Sequence, residues 1–387
     1  MRTNSYRVKH RSNRSAQSNI LNIVLTVLRI IFGCVFIFSG FVKLIDPLGF
    51  TYKIEDYLTA FGGFFTYFIP LALPASMLLS TLEFVIGLNM VFKVRYQLTT
   101  MVALLVMVFM TGLTLYTAIA NPVSDCGCFG DAIIISNTAT FIKNIFLLAI
   151  IIFLFITRKN SFPVLTPALD WTICILFFAV GIGLSVHSYR YLPMFDFRPY
   201  KVGVNIPEAM QTPEGYPQDE YETTFIYEKD GVRKEFSLQN YPKNDSTWVF
   251  VDQKSVLVSK GYEPPIHDFS MVDEYMYDVT EDILSQPEDT YLLIAYDINK
   301  ASKKGLINAQ KIYNRAVLSG KNFYALSASS QEEIEQVKLD LNLSYTFYQT
   351  DPITLKTIIR SNPGLLLIKN GTIEAKWPWR NFDEVKD

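Results

Sequence analysis

The stretch LTTMVALLVMVFMTGLTLYTAIA, Leu98–Ala120, carries no charged residue from end to end. A helix needs about 20 apolar residues to cross the hydrocarbon core of a bilayer, and this run supplies them. To either side of it, four more runs have the same character: Ile20–Ile45, Leu71–Phe92, Thr138–Ile156 and Leu169–Ser185. Arg29 and Lys43 lie near enough to the ends of the first run to snorkel. The basic stretch Arg2–Arg14 precedes an apolar run with no small-residue cleavage site, so the first span reads as a retained anchor, not a signal peptide.

Composition fits a chain that is part membrane and part water-facing. Half of the residues are apolar and 29 are Phe, yet 19% are charged. Residues 1–190 carry 14 Lys+Arg against 7 Asp+Glu, whereas residues 191–387 carry 21 against 30. Membrane lipid is therefore an expected partner. No basic stripe with interleaved aromatics appears, which argues against nucleic acid.

Loop charge orients the five spans. The flanks 1–19, 93–97 and 157–168 hold Arg2, Arg7, Lys9, Arg11, Arg14, Lys93, Arg95, Arg158 and Lys159 and no acid. The opposite loops, 46–69 and 121–137, hold Asp46, Glu55, Asp56, Asp125 and Asp131 against Lys53. A cytoplasmic N-terminus in the cell inner membrane, with everything after about residue 190 in the periplasm, is the expected topology.

Beyond Pro193 the texture changes. Thr223–Tyr227, Trp248–Val251 and Val256–Val258 read as short β-prone segments, with turn signals at Asp230-Gly231 and Asn244-Asp245-Ser246. From Pro264 strands and helices alternate: Tyr291–Tyr296, Lys303–Ser319, Phe323–Ser327, Gln331–Leu341, Tyr345–Tyr348, Ile353–Arg360, then two strands across Asn370-Gly371. That alternation predicts an α/β layer domain. The expected layout is a cytoplasmic flank (1–19), a four-helix membrane domain (20–160), a fifth span (161–190), a β-rich segment (191–263) and the α/β domain (264–387).

Of the four cysteines, Cys34 and Cys174 lie in apolar helices and read as small buried hydrophobes. Cys126 and Cys128 sit in the loop Asp125-Cys126-Gly127-Cys128-Phe129-Gly130-Asp131, on the side expected to be oxidising. Paired thiols in such a compartment form or exchange disulfides, and a Cys-Gly-Cys ring is small enough to make a labile, oxidising bridge. The competing reading is a static bridge or a plain turn. No metal site is expected, since two thiolates need two more ligands and no histidine is near in sequence. Glu83 falls in mid-helix of the second span, where a carboxylate is either neutral, paired with a cation such as Lys43, or part of a proton path. Lys43 and Lys143, with Asn144, fall at the ends of the first and fourth spans on the cysteine side. They read either as interfacial anchors or as a positive field for a thiolate.

Leu28-Arg29 through Gly33, then Ser39-Gly40-Phe41-Val42-Lys43-Leu44 and Asp46-Pro47-Leu48-Gly49-Phe50, resemble the opening signature of the DoxX/MauE membrane family. Cys126-Gly127-Cys128-Phe129-Gly130 is similar to the cysteine motif of its MauE branch, which is associated with disulfide formation during maturation of a periplasmic methylamine dehydrogenase. The resemblance spans residues 20–160. It implies a compact helical bundle with a redox-associated role in the envelope. Pro264-Pro265-Ile266-His267-Asp268-Phe269-Ser270 and Asn362-Pro363-Gly364 through Asn370-Gly371 resemble the entry strand and closing hairpin of a thioredoxin-like fold. That likeness implies a cis peptide at Asn362–Pro363. Where such folds carry Cys-x-x-Cys, this chain reads Asp297-Ile298-Asn299-Lys300-Ala301-Ser302, so the domain cannot exchange dithiols itself. The whole is similar to a Bacteroidetes type of DoxX-family protein.

The fold expected is thus a transmembrane bundle, a small β-rich segment and a degenerate thioredoxin-like domain. Three functions compete. One is a thiol–disulfide component acting through Cys126 and Cys128, with a periplasmic client or redox partner and a quinone as candidate cofactor. Another is a non-enzymatic scaffold with structural cysteines. A third is a transporter using Glu83.

Overall fold

A computed structural model describes residues 3–123, 125–160, 166–217, 220–243, 245–259 and 261–385. The side chains of 3–19 and of Asn160 lie outside the description, as do Arg2, residues 161–165 of one basic flank, and Asn244 of an expected turn.

Helix α1 (Thr3–Ile45) continues the first apolar run back through the basic flank as one helix. The 46–69 segment, expected as a loop between spans, is instead largely helical. It folds as α2 (Pro47–Phe61) and a 3-10 segment, Gly63–Leu71. Asp46 accepts the Gly49 N–H at 2.9 Å, and Pro47 opens the helix where its missing N–H costs nothing. Thr51 and Tyr57 turn inward with it, a stripe too sparse to stand out in the sequence.

Helices α3 (Ala72–Phe92), α4 (Tyr96–Ala120), α5 (Asn137–Thr157) and α6 (Pro167–Tyr191) complete the bundle. Five helices, counting Gly63–Phe92 as one, are long and apolar enough to cross a membrane. The last is longer than Leu169–Ser185, because Thr166 caps its start and Ser188 and Arg190 continue the helix beyond the apolar run. Large apolar side chains point outward (Leu105, Phe109, Phe146 and Ile175 are all exposed), as lipid requires. Buried hydroxyls instead bond the carbonyl one turn back, as Thr81 does with Met77 at 2.7 Å.

Small residues bring α1 against α3. A Cβ on Gly40 would stand 2.5 Å from the Phe84 backbone nitrogen, and one on Gly87 2.5 Å from that of Ile37. Backbones this close give van der Waals packing that a bilayer does not otherwise drive. Gly40→Leu is accordingly expected to force the pair apart, at a cost of about 3 kcal/mol. Thermal unfolding in detergent checks this. Gly112→Ala on α4, where a Cβ meets nothing within 4 Å, should leave the midpoint unchanged.

After α7 (Ile206–Ala209), strands β1 (Glu220–Lys229), β2 (Val232–Ser237) and β3 (Val249–Ser259) form an antiparallel sheet of order β2-β1-β3. The two short segments expected at 248–251 and 256–258 are one strand. A register shift, with Ile226 opposite Asp252 but Tyr227 opposite Phe250, breaks the alternation that would have joined them.

The C-terminal unit holds α8 (Thr280–Leu284), β4 (Thr290–Ile294), α9 (Lys303–Leu318), β5 (Asn322–Ser327), α10 (Gln331–Leu341), β6 (Thr346–Gln349), α11 (Pro352–Ile358), β7 (Gly364–Lys369) and β8 (Thr372–Pro378). Its sheet order is β6-β5-β4-β7-β8. The first three strands are parallel and the last two antiparallel. Alternation along β4 sends Tyr291 and Leu293 to the core under α9, and Leu292 and Ile294 to a second core with Ile266, Phe269 and Leu355. The Asn362–Pro363 peptide is cis.

Candidate functional site

The two loop cysteines meet at the end of the bundle that faces the α/β unit. Cys126 and Cys128 are both buried, and their sulfurs lie 3.3 Å apart as free thiols. Gly127 makes the turn between them at φ +67°, a conformation costly for any residue with a Cβ. Asp125 fixes the entry: one oxygen accepts the Gly127 N–H at 2.9 Å and the other pairs with Lys53 of α2 at 2.7 Å. The Tyr57 hydroxyl, also from α2, reaches the Cys126 carbonyl at 3.5 Å.

Beneath the loop lies an ion pair inside the bundle. Lys43, 2% exposed, donates to Glu83 at 2.6 Å and to the Ser39 hydroxyl at 3.2 Å. Ser39 Oγ stands 2.8 Å from Glu83 and 2.6 Å from the Cys128 carbonyl, so its single proton serves one or the other. Ser39 and Lys43 are one turn apart on α1, and the glycine contact with α3 brings Glu83 within their reach. Lys143 of α5 holds its ammonium 4.4 Å above the Phe129 ring, which packs on Phe38 at 5.5 Å. Asn144 turns away, donating to Thr114 of α4 at 3.2 Å.

This field acts unequally on the two sulfurs. A hydrogen bond from Cys126 holds the Cys128 thiol below its ordinary value, at about 6. The Lys143 and Lys43 charges push the same way, against the burial that opposes them. The same bond, together with burial, pushes Cys126 up. Cys128 is therefore the thiolate of the pair, with Cys126 as its proton-bearing partner.

The α/β unit closes over this end through Arg360, at the C-terminal end of α11. Its side chain is 7% exposed and its Nε lies 2.9 Å from Asp46, the cap of α2. Nη2 lies 2.9 Å from Asp131, in the cysteine loop itself. Burial alone would lower its basicity, but the two carboxylates raise it overall. Beside it, Tyr52 of α2 donates to the Tyr296 hydroxyl at 3.2 Å, and Lys356 sits 4.6 Å over the Tyr52 ring.

Of the residues singled out from sequence, Cys126, Cys128, Lys43, Glu83 and Lys143 come together. Asn144 and Pro363 do not touch the thiols. Ser39, Lys53, Tyr57 and Arg360 were missed. A signal existed for Ser39, which lies one turn before Lys43, and for Lys53, the lone base among five acids in its two loops. Arg360 had none.

The bundle and its contents define the class: a multi-pass membrane protein with a buried dithiol loop at one end. Residues 21–157, a stretch ending with α5, match the family model for methylamine utilisation protein MauE. Residues 221–260, the three-stranded sheet, match a domain of unknown function, DUF8463. No curated protein and no solved structure matches the chain.

Proposed function

We propose that this protein is an inner-membrane component of periplasmic thiol–disulfide chemistry, working through Cys126 and Cys128. The observation that carries the reading is the pair of free sulfurs 3.3 Å apart, with Lys43 buried beneath their loop and Lys143 over its Phe129 ring. Oxidation of the pair joins the two sulfurs and releases two electrons and the one proton left on Cys126, so an acceptor is needed. A lipid-soluble quinone, which would take these with a second proton from water and leave as quinol, is the class that fits this membrane end. Phe38 and Phe129 offer stacking faces and Lys143 a donor for a carbonyl oxygen. The bridge is then reduced by a client: one client thiolate attacks it to give a mixed disulfide, a second client thiol displaces the pair, and the client leaves with a disulfide while Cys126 and Cys128 return as thiols.

The loop charges support a periplasmic position for the thiols. The strand order and the mixed parallel–antiparallel sheet support a thioredoxin-like reading of the α/β unit, and the opening motif a DoxX kinship. With no cysteine after Cys174, that unit serves as a docking module rather than a redox partner. A scaffold role is the second reading, favoured by the burial of both thiols and by the Arg360 seam.

Mass-tag alkylation of membranes, with and without reductant, separates the two. A pair that cycles between tagged and untagged forms supports redox work; a pair fixed in one state supports the scaffold. In unfolded-free membranes the alkylation rate of Cys128 in C126S should show how far Lys43 and Lys143 alone lower its pKa. In the unmodified chain the rate should rise through pH 6, well below the about 8.5 of a free thiol. Cys128→Ser should abolish cycling at unchanged abundance.

A further inference from the structure

Away from the thiols, α3 and α6 leave a groove of about 390 Å³ at the same end of the bundle. Leu73, Pro74 and Met77 from the first turns of α3, and Val186 from α6, make an apolar wall. At its mouth stand two guanidinium groups from different parts of the chain: Arg190, in the last turn of α6, and Arg380, in the 3-10 turn after β8.

Arg380 is held in place without a counter-ion. It lies 4.4 Å from the centroid of Trp379 and 5.8 Å from that of Tyr189, and one Nη reaches the Arg190 carbonyl at 3.4 Å. Among the described residues, no carboxylate lies within 4.0 Å of either guanidinium. Lys43, Lys53, Arg198, Arg360 and Lys376, at the same end, each have one. Two arginines with unspent donors, set where an apolar groove meets the water-facing unit, match a ligand with an anionic head and a hydrocarbon body.

We propose that this groove binds an anionic phospholipid, its phosphodiester accepting from Arg190 and Arg380 and an acyl chain lying on the α3–α6 wall. Because Arg380 belongs to the α/β unit and Arg190 to the bundle, the bound lipid ties the two together beside the Arg360 seam. The inference is independent of the thiol chemistry.

Native mass spectrometry of the delipidated full chain, titrated with phosphatidylglycerol or phosphatidylcholine, tests it. Phosphatidylglycerol should be retained preferentially, and Arg190→Gln and Arg380→Gln should each weaken its retention about tenfold. Val186→Trp, which fills the wall and spares both arginines, should weaken it as well. Equal retention of the two lipids, or indifference to Arg380→Gln, overturns the proposal. Displacement of the lipid by inorganic phosphate alone, with Val186→Trp silent, would make the site a plain anion site and would also overturn it.

Discussion

Arg360→Ala is expected to release the α/β unit from the bundle. The substitution leaves Asp46 and Asp131 side by side on the bundle face of the seam with no cation between them. Breaking a buried pair by removing one partner costs about 3–5 kcal/mol. Asp131 remains partly open to solvent, so the lower end, about 3 kcal/mol, is the better expectation. At about 1.4 kcal/mol per tenfold, the ratio of docked to undocked forms should fall roughly a hundredfold. Limited proteolysis reads this as faster release of a C-terminal fragment, and alkylation as quicker labelling of Cys126 and Cys128. Arg360→Lys should fall between, because an ammonium cannot hold two carboxylates in the fixed fork of a guanidinium. A reversed pair, Arg360→Asp with Asp131→Arg, should recover part of the protection. If Arg360→Ala leaves both rates unchanged, the seam does not hold the unit in place.

The sequence carries the bundle plainly because lipid imposes a coarse rule. A helix that must satisfy its own backbone in hydrocarbon shows as a long uncharged run, and Leu98–Ala120 needs no tertiary context to be read. The α/β unit was legible for a related reason: Tyr291–Tyr296 and Gln331–Leu341 are bounded by turn and cap residues, and Ser330 and Glu333 form the capping box that starts α10. What failed were segments whose apolar residues do not repeat cleanly. Helix α2 buries Pro47, Thr51 and Tyr57, and two of these look like loop residues. Strand β3 hides behind its bulge.

The site was half legible. Glu83 stood out because a carboxylate in mid-span must find a partner, and the structure supplies Lys43 from a helix forty residues earlier. The choice of Lys43 over other cations follows from the Gly40–Phe84 contact, which fixes the register of α1 on α3 and which a list of charges does not contain. The Arg360 seam was invisible for the same reason on a larger scale. Its partners lie 314 and 229 residues away, and nothing local to Ile359-Arg360-Ser361 announces an interface.

Lys43→Met should prove the most damaging single change in the bundle. Glu83 would keep only the Ser39 hydroxyl, and a carboxylate stripped of its cation in a buried site costs about 3–5 kcal/mol. Loss of folded protein in the membrane is the expected outcome. The double change Lys43→Met with Glu83→Leu should restore much of that loss, since replacing a buried ion pair with apolar groups of similar volume is often neutral or stabilising. Folding and chemistry then separate. Under the redox reading, the rescued double variant should still show a shifted Cys128. The lowering charge of Lys43 and the weaker raising charge of Glu83 are both gone, so its alkylation profile should move up only slightly from near pH 6, while Cys126 and Lys143 still hold it below an ordinary thiol. Membrane abundance and the pH profile are measured on the same preparation. A double variant that folds with an unmoved profile would assign Lys43 to architecture alone. A double variant that does not fold would mean that the pair specifies how α1 seats on α3, beyond the charge it neutralises.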